Sequence, residues 1–110
     1  MSGQKSGKID SASVERAVSF IERRHPVKTG ISFEAETGIS AETFRKWRDG
    51  SAKPGWVHAT KMILIFGPEF LAATVESAPA WLSAAARRQL AEKLEAEIVE
   101  RERKLAELRA

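Results

Sequence analysis

A cluster of basic side chains between positions 40 and 61 is the part of the sequence whose residue types could do chemistry. Five basic residues there stand against two acidic ones, a net charge of +3, whereas positions 62 to 79 carry a net charge of −2. The basic residues are Arg45, Lys46, Arg48, Lys53 and Lys61. Guanidinium and ammonium groups gathered on one segment neutralise phosphates and attract polyanions. The sequence therefore predicts a polyanion-binding surface in this segment.

A short helix from Ala41 to Asp49 is predicted to carry most of this charge. Ser40 can accept hydrogen bonds from the free amides of its first turn, and Gly50 suits the left-handed geometry that ends a helix. Phe44 and Trp47 lie three residues apart on one side, while the charged residues lie on faces that remain in water. We therefore expect a polar helix that is fixed at two apolar points and presents its cationic flank.

Three further helices are predicted around it. Apolar residues at i, i+3, i+4 and i+7 spacing (Val14, Ala17, Val18 and Ile21) indicate a first helix that ends near His25, because Pro26 disfavours helical geometry in its predecessor. Asp10, Ser11 or Ser13 is its candidate cap. Thr29 or Ser32 is predicted to cap a second helix that ends at Gly38. The apolar run from Trp56 to Phe66 indicates a central, buried helix.

After Gly67, a helix beginning at Pro68 is predicted to run to Ser77, before a boundary at Pro79. The fold class expected is all-α, a small helical bundle over residues 10–79. Residues 1–9 are Gly-, Ser- and Lys-rich and are expected to form a disordered basic tail.

Residues 80–110 contain no Gly or Pro and consist mostly of Ala, Glu, Arg, Lys and Leu, which predicts one long C-terminal helix. A heptad register with Leu94 at d gives a seam of Leu94, Ile98, Leu105 and Leu108, although Arg87 and Arg101 also occupy d positions. Two interpretations stay open. The helix forms a short coiled coil that makes a homodimer, or it folds back on the bundle through Trp81, Leu82 and Leu90.

Other chemistry finds no support in the sequence. The absence of Cys excludes disulfides, zinc–thiolate sites and thiol catalysis, and fits a cytoplasmic protein. His25 and His58 stand alone, without further ligands at metal-binding spacing. There is no nucleophile elbow and no phosphate-binding glycine loop. We therefore expect no enzyme activity, cofactor, metal or small-molecule ligand, and no membrane segment.

Residues 29–64 resemble the helix-turn-helix of the Cro and phage-repressor type, also called the Xre family. The resemblance rests on Thr29 opening the second helix, Phe33 at its large apolar position, Gly38-Ile39-Ser40 at the turn, Thr43-Phe44 and Trp47 in the next helix, then Gly50 and Pro54. It spans about a third of the chain without a gap. Glu34 departs from the family, which usually has a small residue there, and Gly30 replaces a polar one.

The resemblance implies a sequence-specific regulator of transcription, a nucleoid-associated homodimer that places the helix Ala41 to Asp49 in the major groove of double-stranded DNA. It implies three sets of residues. Ser40, Ala41, Glu42, Arg45 and Lys46 read bases; Thr29, Thr43, Arg48 and Lys53 contact phosphates; Phe33, Phe44 and Trp47 are structural anchors. A surface ion pair between Glu42 and Lys46 is also expected in the free protein. The alternatives are an adaptor that binds a protein through its C-terminal helix, or an architectural or recombination accessory factor that binds DNA.

Overall fold

The computed structural model describes residues 11–110, which fold into six α-helices without a strand. The helices are α1 (Ser11–Arg24), α2 (Thr29–Thr37), α3 (Ala41–Asp49), α4 (Trp56–Phe66), α5 (Pro68–Thr74) and α6 (Ala80–Arg109). The predicted all-α bundle with a long last helix is confirmed. The tail predicted for residues 1–9, and Asp10 as a cap, lie outside the described residues.

Aromatic rings form the centre of the bundle. Phe33 of α2 lies 5.4 Å from the ring of Phe44 and 6.3 Å from that of Phe66, measured between ring centroids. Phe66 in turn packs against Phe20 and Phe70 at 5.5 and 5.4 Å. These separations and tilted orientations are those that aromatic pairs prefer. One connected core therefore joins helices α1 to α5.

The junction between α1 and α2 differs from the sequence prediction. Neither Thr29 nor Ser32 caps α2; its N-cap is Lys28, whose backbone is left-handed at φ 52°. The Thr29 hydroxyl instead donates to the carbonyl of His25, at 2.6 Å. The cap prediction is wrong because Thr29 is already the first helical residue, and its side chain turns back to the end of α1.

Helix α4 has the predicted bounds, Trp56–Phe66, but it is not buried on every side. Met62 and Phe66 enter the core, whereas Trp56, Val57 and Leu64 are exposed. These three lie on the side of α4 that faces away from the core, so the prediction of a central helix is wrong for half of its surface. Composition alone does not show how many sides of an apolar helix are covered.

Helix α5 begins at Pro68 as predicted but ends at Thr74, three residues before the predicted Ser77. Val75 adopts an extended backbone with φ −95° and ψ 156°, and its side chain is buried. Burying Val75 in this conformation brings the chain out of the helix early.

Helix α6 consists of a packed beginning and an exposed remainder. Leu82 is buried, and the Gln89 side chain accepts from the Glu69 amide at 2.8 Å and donates to the Phe66 carbonyl at 2.7 Å. Every residue from 90 to 110 is exposed. The domain limit predicted at Ala80 marks the start of the helix, whereas the limit between packed and exposed residues falls near Leu90. Of the three fold-back residues, only Leu82 is buried; Trp81 and Leu90 are exposed.

Candidate nucleic-acid interface

The candidate interface is built on α3, which has the predicted bounds Ala41–Asp49. At its start the Ser40 hydroxyl oxygen accepts from the Thr43 amide at 3.1 Å, and that hydroxyl donates to the Thr43 side-chain oxygen at 2.8 Å. At its end Gly50 has φ 82°, and its amide donates to the Trp47 carbonyl at 3.2 Å. Both predicted caps are therefore present, and they fix the length of the helix.

Two aromatic side chains fix the orientation of α3. Phe44 and Trp47 are buried, and the Trp47 ring lies 6.0 Å from that of Phe33, which has no exposed surface. On its other edge Trp47 packs against the His58 ring of α4, at 5.6 Å. Since both rings point inward from one side of α3, the opposite side is held toward solvent. The three predicted anchors thus lie together in the core.

Helix α2 holds the first turn of α3 through Glu34 and Gly30. The Glu34 carboxylate accepts from the Ala41 amide at 2.8 Å, which satisfies one of the free donors at the helix start. A β-carbon placed on Gly30 would lie only 3.2 Å from that of Ala41, so the absence of a side chain permits this close approach. Sequence reasoning missed both roles, because neither a contact across a turn nor a helix–helix distance leaves a local pattern.

An ion-pair network lies along the exposed side of α3. The Arg45 guanidinium donates to both oxygens of the Glu42 carboxylate, through Nε at 3.0 Å, and to Asp49 at 2.7 Å. The hydrogen bond from Arg45 holds the pKa of Glu42 below its ordinary value and raises the pKa of Arg45. The predicted pair of Glu42 with Lys46 is wrong: Arg45, three residues on, can reach the carboxylate with two nitrogens, which the single ammonium of Lys46 cannot.

The remaining cations flank this network. Lys46 and Lys53 are exposed, and neither has an acidic side chain within 4 Å in the part of the chain that the structure describes. The Arg48 guanidinium lies over the Phe44 ring, 5.9 Å from its centroid. Lys46 on α3 and Lys53 just after it therefore lack an acidic partner among the described residues, whereas Arg45 is paired with Glu42 and Asp49, and Arg48 Nε lies 3.9 Å from an Asp49 carboxylate oxygen.

A shallow groove of about 380 Å³ joins the start of α2 to α3. It brings together Thr29 and Arg48, predicted to contact phosphates, with Ala41, Glu42 and Arg45, predicted to read bases. Lys28 also lines it. Ser40, Thr43, Lys46 and Lys53 lie outside the groove lining, and the hydroxyls of the first two are engaged in the helix cap.

Residues 11–110 contain neither a metal-binding cluster nor a membrane-spanning helix. Within residues 11–110 no three His, Cys, Asp or Glu side chains are grouped so that they could hold a metal ion. Nor does any helix in that range combine the length and apolar character that crossing a membrane requires. No protein-family model, curated protein or solved structure matches the chain. The site must therefore be interpreted from its own geometry.

Proposed function

We propose that the protein is a sequence-specific DNA-binding regulator of transcription that inserts α3 into the major groove of duplex DNA. The main support for this proposal is that α3 is held rigidly by the rest of the fold. Two caps, the Glu34 contact and two buried aromatic rings fix a nine-residue helix so that its charged side faces outward. A helix fits the major groove, and a rigid one places its side chains at defined base edges.

The exposed residues divide into two roles under this proposal. Glu42, Arg45 and Lys46, with Ser40 and Ala41 at the helix start, reach base edges: Lys46 donates to guanine and Glu42 accepts from cytosine. Thr29, Thr43, Arg48 and Lys53 contact phosphates, and Lys28 joins them because it lines the same groove. Arg45 exchanges its bonds to Glu42 and Asp49 for bonds to DNA. Because bonds are lost as well as gained, Arg45 contributes less to the free energy of DNA binding. A DNA sequence that offers Arg45 no acceptor is bound more weakly, since the lost bonds are then not replaced.

The chain acts as a homodimer in this proposal, which places two copies of α3 on inverted half-sites about one helical turn apart. The seam residues Leu94, Ile98, Leu105 and Leu108 are all exposed in the single chain and are free to contact a second copy. A regulator of this kind works in the cytoplasm, on the DNA of the nucleoid.

A second candidate function is supported by α4. Its exposed residues Trp56, Val57 and Leu64 form an apolar face, and such faces mark sites of protein binding. An adaptor would use this face or α6 to bind a protein, and α3 would then not bind DNA. The two functions differ in one measurable property, the affinity for duplex DNA.

Selection of bound duplexes from a random pool tests the proposal. We expect one enriched sequence, bound at least about 10³-fold more tightly than random DNA, with an affinity that falls steeply as salt rises. Replacement Lys46→Ala should relax the preference at one base position, whereas Lys93→Ala, an equal loss of charge on α6, should not. Equal, weak binding to every duplex would refute sequence-specific regulation.

A further inference from the structure

The outer α6 segment, residues 90–109, carries an apolar seam that nothing in the described chain covers. All its residues are exposed, and α5 is the only described helix whose Cα atoms come within 8 Å of α6. At 1.5 Å per residue the segment extends about 30 Å. Leu94, Ile98, Leu105 and Leu108 follow one another along it at spacings of four, seven and three residues, and Arg101 occupies the seam position within the seven-residue gap. Most helical stability in proteins comes from packing such a face, so we expect a partner to cover it.

The seam is on a side of α6 that a second helix can reach. Leu82 and Gln89 mark the side that faces the bundle, and the 100° step per residue puts the seam roughly 130° around the helix from them. The side opposite the seam carries Arg103, which is paired with Glu100 and Glu107 within the helix. A partner on the seam would therefore displace neither the bundle nor this ion-pair network.

A parallel pairing with a second copy is disfavoured by charge. In the heptad with Leu94 at d, a parallel dimer sets Arg101 directly against Arg101 of the second copy in the core. Its edge positions g and e would set Glu97 against Glu102 and Lys104 against Arg109. Each of these contacts joins like charges, so a parallel dimer has no favourable charged pair at its edges.

We propose that the outer α6 segment binds the same segment of a second copy in antiparallel orientation, with Leu94 of each copy facing Leu105 of the other. In this register Ile98 faces Arg101, and Glu97 lies at the edge beside Lys104 of the second copy, twice per dimer. The Arg101 stem packs on Ile98 while its guanidinium reaches Glu95 of the second copy. This arrangement rests on the dimeric form of the proposed function and specifies its geometry.

The edge that carries Glu97 and Lys104 favours this register. Shifting the antiparallel pair by one heptad in one direction brings the Glu97 side chains of the two copies together. Shifting it in the other direction brings the two Lys104 side chains together. Only the central register gives opposite charges at that edge, and it overlaps the whole seam of the outer α6 segment, from Ala91 to Leu108. The other edge opposes it, because there Glu95 approaches Glu102 and Arg88 approaches Arg109 of the second copy. Arg101 lies between the two carboxylates and reduces their repulsion.

Cysteine cross-linking tests the orientation directly, because the chain has no native Cys. Three full-length variants are needed: Leu94→Cys, Leu105→Cys and a control, Val99→Cys. Val99 lies on the same helix but on the side away from the seam. A disulfide requires Cα atoms about 4.4–6.8 Å apart, whereas the two copies of position 94 would lie roughly 16 Å apart along an antiparallel pair. We expect a covalent dimer only when the first two variants are mixed before oxidation. Cross-linking of either variant with itself, or a chain that sediments as a monomer, would overturn the proposal.

A charge exchange provides a second test that does not depend on oxidation. Glu97→Lys should weaken the antiparallel dimer about tenfold, since two attractive pairs become repulsive, but it would strengthen a parallel dimer. Adding Lys104→Glu should restore the original affinity. Glu92→Lys, the same charge change away from both edges, should leave the dimer unaffected. Stronger dimerisation by Glu97→Lys would contradict the proposal. Because these measurements contain no DNA, their failure would not bear on major-groove binding.

Discussion

Helix α3 and the outer α6 segment each carry an arginine with the same pattern of ion pairs, but they differ in where their apolar residues lie. Arg45 pairs with residues three before and four after it, and Arg103 does the same; both side chains are about half exposed, at 48% and 54%. In α3 the apolar side chains Phe44 and Trp47 enter the core, so only charge remains for a partner. In the outer α6 segment the apolar seam is left open. The tertiary packing, and not the ion pairs, therefore determines whether a helix exposes a charged or an apolar surface to a binding partner.

The largest effect expected from this contrast concerns tryptophan. Trp47 is 3% exposed and Trp56 is 81% exposed, although they lie only nine residues apart. Trp47→Ala should lower the free energy of unfolding by about 3–5 kcal/mol, because it opens a cavity between Phe33 and His58. Trp56→Ala should change it by less than about 0.5 kcal/mol. Urea denaturation measures both, and equal losses would show that the burial of Trp47 is not what fixes α3 in the bundle.

A smaller effect is expected at the start of α3. Ser40→Ala removes the oxygen that accepts from the Thr43 amide and should cost about 1 kcal/mol of stability. Ser77→Ala, at an exposed position between α5 and α6, is the matched control and should be neutral. If denaturation showed no difference between the two variants, the cap would not be what holds α3 at its N-terminal end.

The smallest effect is expected at the ion pair that joins α1 to α2, the helix on which α3 rests. The hydrogen bond from Arg24 lowers the pKa of Glu36, and His25 approaches the same carboxylate at 2.6 Å. A lowered folded-state pKa stabilises the fold above the ordinary value of 4.5, and this stabilisation is lost as pH falls through the folded-state pKa. Glu36→Gln should therefore cost about 0.5 kcal/mol at pH 7 and nothing at low pH.

Unfolding measured between pH 7 and pH 3 checks this pH dependence. Glu76→Gln, an exposed carboxyl in the turn after α5, is the control and should be no less stable than the wild type at either end of the range. A Glu36→Gln deficit that stayed constant down to pH 3 would show that the carboxylate's charge is not what stabilises the junction.

Much of the fold could be predicted because its signals are local. The bounds of α3, its caps and the inward side of Phe44 and Trp47 all follow from residues within one or two turns of each other. The start of α6 and its length follow equally from Pro79 and from the helix-forming composition after it. These predictions needed no knowledge of which other element lies nearby.

The errors arose where distant or competing contacts decide the outcome. The apolar run of α4 gave no sign that Trp56, Val57 and Leu64 would face away from the core. The pairing of Glu42 with Arg45 depends on the reach of a guanidinium with two donors, which spacing alone does not show. The contact of Glu34 with Ala41 crosses the turn between two helices and is visible only in three dimensions.

The most direct test of DNA binding by α3 compares the two matched arginines. Arg45→Ala and Arg103→Ala each remove one charge and one local ion-pair network, so their effects on stability should be similar and small. On the duplex obtained by selection, titrated at fixed salt, Arg45→Ala should weaken binding by about 1–3 kcal/mol while Arg103→Ala leaves it within about 0.5 kcal/mol. Equal affinities for the two variants would contradict the account.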